Sequence, residues 1–225
     1  MALKLDRKLV ETAVREAVLA QLKRGSKPVA ATAGAPRMVV HASARHMHVT
    51  QKDLEILFGP GAQLHVRKPL HQDGHFAAEE AVTIIGPRNR LISGLRILGP
   101  VRDYSQVELA FTDAVTLGIE GVPVRNSGDI KGSAAAYVMG PAGMLELKEG
   151  VIRASIHAHM NPKDAAHYGV KDKEHMKLLV RGSTSVIFDR LLVRVQEGMK
   201  LEIHLDTDEA NACDLAHAKE IRLFK

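Results

Sequence analysis

The sequence predicts a mainly β protein made of two related halves, and three observations carry that expectation. From residue 37 onward, short runs of valine, isoleucine and leucine recur between glycine and proline turn signals. Helical periodicity is confined to a few short stretches. A His-x-His pair followed by a helix-start signal occurs twice, at His46/His48 and His157/His159, with a constant offset of 111 residues.

Along the chain, residues 3–22 place Val10, Val14, Ala17, Val18, Gln21 and Leu22 near helical spacing. The stretch GSKPVAATAGAPR that follows is rich in glycine, proline and small residues, as a flexible linker is. A helix set apart by a linker is a docking or targeting element, or a tail. Residues 51–58 and 162–168 read as short helices, and a third is expected from Asp208 to about Ala218. VTIIGPRNRLI (82–92) and AYVMGPAGMLEL (136–147) each read as strand, Gly-Pro turn, strand. LLVRVQEGMKLEIHL (191–205) reads as a hairpin turning at Glu197-Gly198. Many short strands and few helices argue for barrels or sandwiches.

The offset that superposes the histidine pairs also places Thr50 on Asn161, Lys52 on Lys163 and Asp53 on Asp164. Thr50 and Asn161 are good N-caps, with Asp53 and Asp164 at the third helical position. The repeated unit is strand, histidine pair, capped helix. A duplication explains it most simply and implies two related β-domains facing each other.

With 45% hydrophobic and 25% charged residues in 225, the chain has the composition of a soluble globular protein. No apolar run approaches the ~20 residues that span a bilayer. The first residues carry charges throughout, unlike a secretory signal. The single cysteine, Cys213, excludes a disulfide framework and reads as a small buried hydrophobe. A cytosolic protein is expected. The net charge of +5 favours anionic partners. Nucleic acid is disfavoured, because aromatics are 4% of the chain, tryptophan is absent and the basic residues are scattered. A small phosphorylated ligand fits better.

Residues i and i+2 of a strand share a face, so each His-x-His aims two imidazoles the same way. Neutral imidazole is the commonest metal ligand, and two on one strand need little ordering to bind. In LEIHLDTDEANA (201–212), His204 stands at a strand end just before a helix and suits a third imidazole. In QVELAFTD (106–113), Glu108 could complete the set of His46 and His48, although Glu79, Glu80 or Asp113 would serve equally by composition. Arg96 and Arg102 flank a Gly-Pro turn just upstream, and an arginine fork suits phosphate oxygens. No nucleophile elbow, Walker loop or dinucleotide fingerprint competes.

ASARHMHVTQKDLEILFGPG, KPLHQDGHFAAEEAVTIIGP, LRILGPVRDYSQVELAFTDAVTLGI, VRNSGDIKGS, LKEGVIRASIHAHMNP and LEIHLDTDEANA together resemble the phosphate propanoyltransferases of bacterial microcompartments, the Pdu-type phosphotransacylases. The resemblance runs in order from about residue 37 to 212. It implies two β-barrel domains capped by short α-helices, residues 37–45 plus 155–225 forming one and 46–154 the other. It implies two zinc ions, one held by His46, His48 and Glu108 and the other by His157, His159 and His204. Arg102 resembles the phosphate-binding arginine, and Ser43, Lys68, Arg96, Leu98 and Asn211 resemble coenzyme A contacts. Residues 1–24 are similar to encapsulation helices that dock on shell or core proteins, and 25–36 would be the linker. His71 and His75 depart from the family's usual polar loop, so extra metal affinity there is conceivable on chemistry alone.

The expected activity is reversible transfer of propanoyl from coenzyme A to phosphate, by zinc-dependent direct attack of phosphate on the thioester. The expected setting is the inside of a bacterial microcompartment of the propanediol-degrading type, as a homo-oligomer, with neither nucleic acid nor membrane as partner. A dinuclear zinc hydrolase and a non-catalytic scaffold module are the competing expectations.

Overall fold

The computed structural model describes residues 36–225, which form one compact unit. The amphipathic helix expected at 1–24 and the linker up to residue 35 lie outside the described residues. Within them, no helix is long and apolar enough to cross a membrane.

One sheet is a closed six-stranded barrel. Strands β4 (Phe76–Ile85), β5 (Leu91–Gly99), β2 (His46–His48), β6 (Gln106–Glu108), β9 (Met144–Ala154) and β8 (Ala134–Met139) pair in that order, and β8 returns to pair with β4. The short strands β3 (Val66–Pro69) and β7 (Val124–Arg125) attach outside the ring, on β4 and β9. The second sheet is a curled half-barrel in the order β1-β13-β10-β12-β11-β14. Its strands are β1 (Val39–Ser43), β10 (His157–Met160), β11 (His175–Arg181), β12 (Val186–Val195), β13 (Glu202–Asp206) and β14 (Glu220–Phe224). Closure removes the exposed edges of the barrel, whereas β1 and β14 remain edge strands.

The two sheets repeat one pattern. Each histidine strand lies between a parallel neighbour and an antiparallel one, β5 and β6 around β2, β12 and β13 around β10. Each encloses its own apolar core. Met47, Leu54, Ile84, Leu95 and Ile97 belong to the first, and Met160, Met176, Leu178, Leu191 and Ile203 to the second.

Helix α1 (Gln51–Phe58) starts where Thr50 accepts the Asp53 amide, and α3 (Pro162–Tyr168) starts with a full capping box between Asn161 and Asp164. Both agree with the sequence. Helix α2 (Phe111–Leu117) escapes the sequence reading because its N-cap is Ala110, which has no side-chain acceptor. Only half a box forms there, the Ala110 amide donating to Asp113 at 3.2 Å. Helix α4 (Thr207–Ala212) stops earlier than the expected Ala218, because Asp214 turns into the left-handed region at φ 48°.

The expected hairpin at 191–205 is corrected. β12 and β13 do exist on either side of the Glu197-Gly198 turn, but they do not pair with each other. The histidine strand β10 lies between them and takes the hydrogen bonds of both. That insertion positions the site.

Contacts between the halves fix the cleft. Arg153, at the end of β9, pairs with Asp206 and Glu209 of the second half and covers the Phe111 ring at 4.7 Å. Thr112 of α2 donates its amide and its hydroxyl to Asp208 of α4. Elsewhere, Gln72 in the β3–β4 loop pairs with the Lys200 backbone.

Candidate metal and anion site

Antiparallel register sets His46 opposite Glu108 in β2–β6, and His157 opposite His204 in β10–β13. The donor atoms within His46, His48 and Glu108 all lie within 4.8 Å of one another, and so do those of His157, His159 and His204. In each pair the imidazole centroids stand 5.0 Å apart and nearly perpendicular. Glu108 approaches the Nε2 atoms of His46 and His48 at 3.4 and 3.9 Å. Of the other candidate carboxylates, Glu79 is exposed and the remaining two are engaged elsewhere. Glu80 pairs with His65, and Asp113 pairs with Arg45.

Each pair has the same backbone anchor. His46 Nδ1 lies 2.8 Å from the Ala44 carbonyl, and His157 Nδ1 lies 2.8 Å from the Ser155 carbonyl. A proton donated along that bond leaves Nε2 free as a lone-pair donor. Burial first, then the neighbouring cationic partners, pushes His48 down to about 3, His159 to about 3 and His157 to about 4. These imidazoles are therefore neutral near pH 7, as ligation requires. Burial opposes the charge on Glu108, but His46 and His48 outweigh it and lower its pKa. His204 Nε2 is buried without a hydrogen-bond partner among the described residues. Two-histidine-plus-carboxylate and three-histidine sets match borderline divalent ions such as zinc. The residues fit such ions.

Both groups open into one cavity of about 660 Å³. Arg102 faces it, its amide tied to the Val49 carbonyl at the end of the histidine strand. Its guanidinium donates to Tyr104 Oη at 2.8 Å and to Ser127 Oγ at 3.1 Å. Ser127 also accepts from Gln106, which in turn donates to Glu108 at 2.7 Å. Arg194, in register with His159, lines the cavity too. Neither arginine meets a carboxylate among the described residues, so both charges are available to an anion.

Ser43, Lys68, Arg96 and Leu98 line the same cavity, while Asn211 is exposed at the end of α4 and outside the lining. Arg96 is held by the Ala78 and Glu79 carbonyls. His71 and His75 line the cavity but belong to neither donor group. Sequence reasoning missed Ser127, Gln106, Arg194, Gln72 and Glu202. For Gln106 and Glu202 a signal was present, since each stands two residues before a third donor on an alternating strand.

A two-sheet fold presenting paired histidine-rich donor groups and two arginines without carboxylate partners to one cavity defines a class of proteins whose site has the chemistry to hold metal ions beside an anion. Comparison with known proteins narrows this. The family model of the phosphate propanoyltransferases matches residues 39–216, and the chain belongs to that family of transferases. It is 47% identical to a phosphate propanoyltransferase of Planctopirus limnophila, over 98% of this chain and 92% of that protein. It is 50% identical to one from Thermotoga maritima over 80% of this chain and 85% of the relative. For one from Rhodobacter capsulatus the identity is 40%, over 92% and 95%.

Proposed function

We propose that this protein catalyses acyl-CoA plus phosphate to acyl phosphate plus coenzyme A, reversibly, with propanoyl as the acyl group and zinc in both donor groups. The observation that carries this is the meeting of two metal-competent groups and the uncommitted Arg102 in one cavity. When bound, zinc supplies Lewis-acid polarisation of the thioester carbonyl and a soft partner for the departing thiolate.

Arg102 binds phosphate through its planar fork, oriented by Tyr104 and Ser127. A phosphate oxygen attacks the thioester carbonyl, the carbon–sulfur bond breaks, and the proton released from phosphate balances the thiolate. No covalent acyl-enzyme is formed. Lys68 and Arg96 at the cavity wall supply positive charge for coenzyme A phosphates, with Ser43 and Leu98 beside them, and Asn211, exposed on α4 outside the lining, contacts the part of coenzyme A that extends beyond the cavity.

Residues 37–45 plus 155–225 and residues 46–154 form the two domains, a division supported by the pairing of β1 with β13. Residues 1–24 act as an encapsulation helix on a microcompartment shell or core protein, with 25–36 as its tether, and the enzyme works there as a homo-oligomer. The amphipathic spacing and the linker composition support this.

The test is thiol release from propanoyl-CoA by zinc-loaded protein with and without phosphate. Release that requires phosphate, with acyl phosphate formed in equal amount, is expected. Release without phosphate would assign a hydrolase, and no release under either condition would remove the catalytic reading.

A further inference from the structure

The two donor groups differ in more than their third donor. β6 and β13 occupy equivalent places, with Gln106 opposite His48 and Glu202 opposite His159. The shift that carries Glu108 onto His204 also carries Gln106 onto Glu202. In the first group the third donor is a carboxylate, and the residue two before it is an amide that donates to it at 2.7 Å. In the second the third donor is an imidazole, and the residue two before it is a carboxylate. Glu202 Oε2 stands 3.4 Å from His204 Nε2, close enough for an ion pair though not aligned as a hydrogen bond. An amide N–H complements a carboxylate, and a carboxylate complements an imidazole N–H. The two exchanges compensate each other.

Glu202 is 3% exposed, and its nearest titratable neighbours are His204, at 3.4 Å, and His41, at 3.3 Å. No lysine or arginine pairs with it among the described residues. Its firm partner is Gln72, whose Nε2 donates to Glu202 Oε2 at 2.7 Å. The Gln72 amide also pairs both ways with the Lys200 backbone, donating to its carbonyl at 2.9 Å and accepting from its amide at 3.0 Å. Gln72 thus behaves as an extra strand partner, delivered by the β3–β4 loop of the closed barrel. A buried carboxylate lacking a full counter-charge is unfavourable unless a cation sits nearby. The first group carries its own anion in Glu108. The second, made of three imidazoles, carries none.

We propose that Glu202 is a positioning residue of the second metal group, holding His204 and balancing the charge of its ion, and that Gln72 latches it from the opposite sheet. This rests on the reading that both groups bind divalent ions. The affinity of the second ion then depends on a loop belonging to the first sheet.

The test is titration of metal-stripped, full-length protein with Co(II), followed by its visible absorption and by competition with a chelator. In a His48→Ala background, where only the second group is left intact, Glu202→Gln should weaken Co(II) about ten- to a hundredfold. Glu202→Asp should recover part of that loss, which a mere packing defect would not allow. In a His159→Ala background, Glu202→Gln should leave Co(II) affinity unchanged. Gln72→Met keeps the Glu202 charge but removes the latch, and should weaken the second ion at least threefold while shifting its absorption bands. Far-UV circular dichroism checks that each variant is folded. If Glu202→Gln and Gln72→Met both bind Co(II) within twofold of their parent, the proposal is overturned. If the unsubstituted protein itself binds no ion, the metal reading fails instead.

Discussion

Lowering the pH of chelator-treated protein should destabilise the fold steeply. His48, His157 and His159 have pKa values of about 3, 4 and 3 in the folded chain, whereas unfolded histidine titrates near 6.5. A folded pKa below the unfolded one means that protons bind the unfolded chain first. The stability is therefore present above pH 6.5 and lost as pH falls toward 4. Between pH 7.5 and 5.5 each group loses about 1.4 kcal/mol, so the three together lose ~4 kcal/mol. Against a total of ~5–15 kcal/mol that is a large share. Exposed His65 and His217 shift upward through Glu80 and Asp214 and act in the opposite direction, but solvent screens them. Glu108 and Glu202 are held below the ordinary carboxylate range and stay ionised across this interval. The assay is urea denaturation of chelator-treated protein at pH 7.5 and 5.5. Equal or greater stability at pH 5.5 would refute the assignment of these histidines as buried and neutral.

Arg153→Met should cost about 3–5 kcal/mol, because it leaves the largely buried Asp206 and Glu209 without their cation; the shift of the urea midpoint measures it. Arg102→Ala should raise KM for phosphate at least about tenfold, as expected for loss of a charge-assisted bidentate contact, with metal content unchanged. Lysine at that position should restore only part of the affinity, because a point charge lacks the fork. Steady-state kinetics with phosphate varied, alongside metal analysis, checks both.

The parts of the fold legible in the sequence are those written in local chemistry. The caps at Thr50 and Asn161, the alternation of Leu201, Ile203 and Leu205 into the core, and the twin histidine pairs each depend on residues a few positions apart. What escaped depends on strands that meet from far along the chain. Periodicity identified β12 and β13 but carries no record of β10 lying between them, so the turn at Glu197-Gly198 looked like a hairpin. Glu108 could be chosen over Glu79, Glu80 and Asp113 only once register placed it opposite His46. Ser127 and Gln72 act through long-range hydrogen bonds that no spacing rule encodes. Helix α2 was recoverable in principle. The second unit of the repeat has a helix after its third donor, and Asp113 followed by Gly118 marks the same start and stop.

The pairing of β1 has a consequence for how the chain is made. Val39–Ser43 has one strand neighbour, Glu202–Asp206, and every residue of the closed barrel is synthesised between the two. A ribosome adding ~5–20 residues per second exposes β1 long before its partner exists. The barrel can close on its own strands during that interval, while β1 waits as an unsatisfied ribbon beside it. The half-barrel is then the late-forming part of the molecule, and its assembly carries the entropic burden of a very long loop. Because His157, His159 and His204 belong to this late sheet, the donor group of His46, His48 and Glu108 can be complete on a nascent chain before the second group exists.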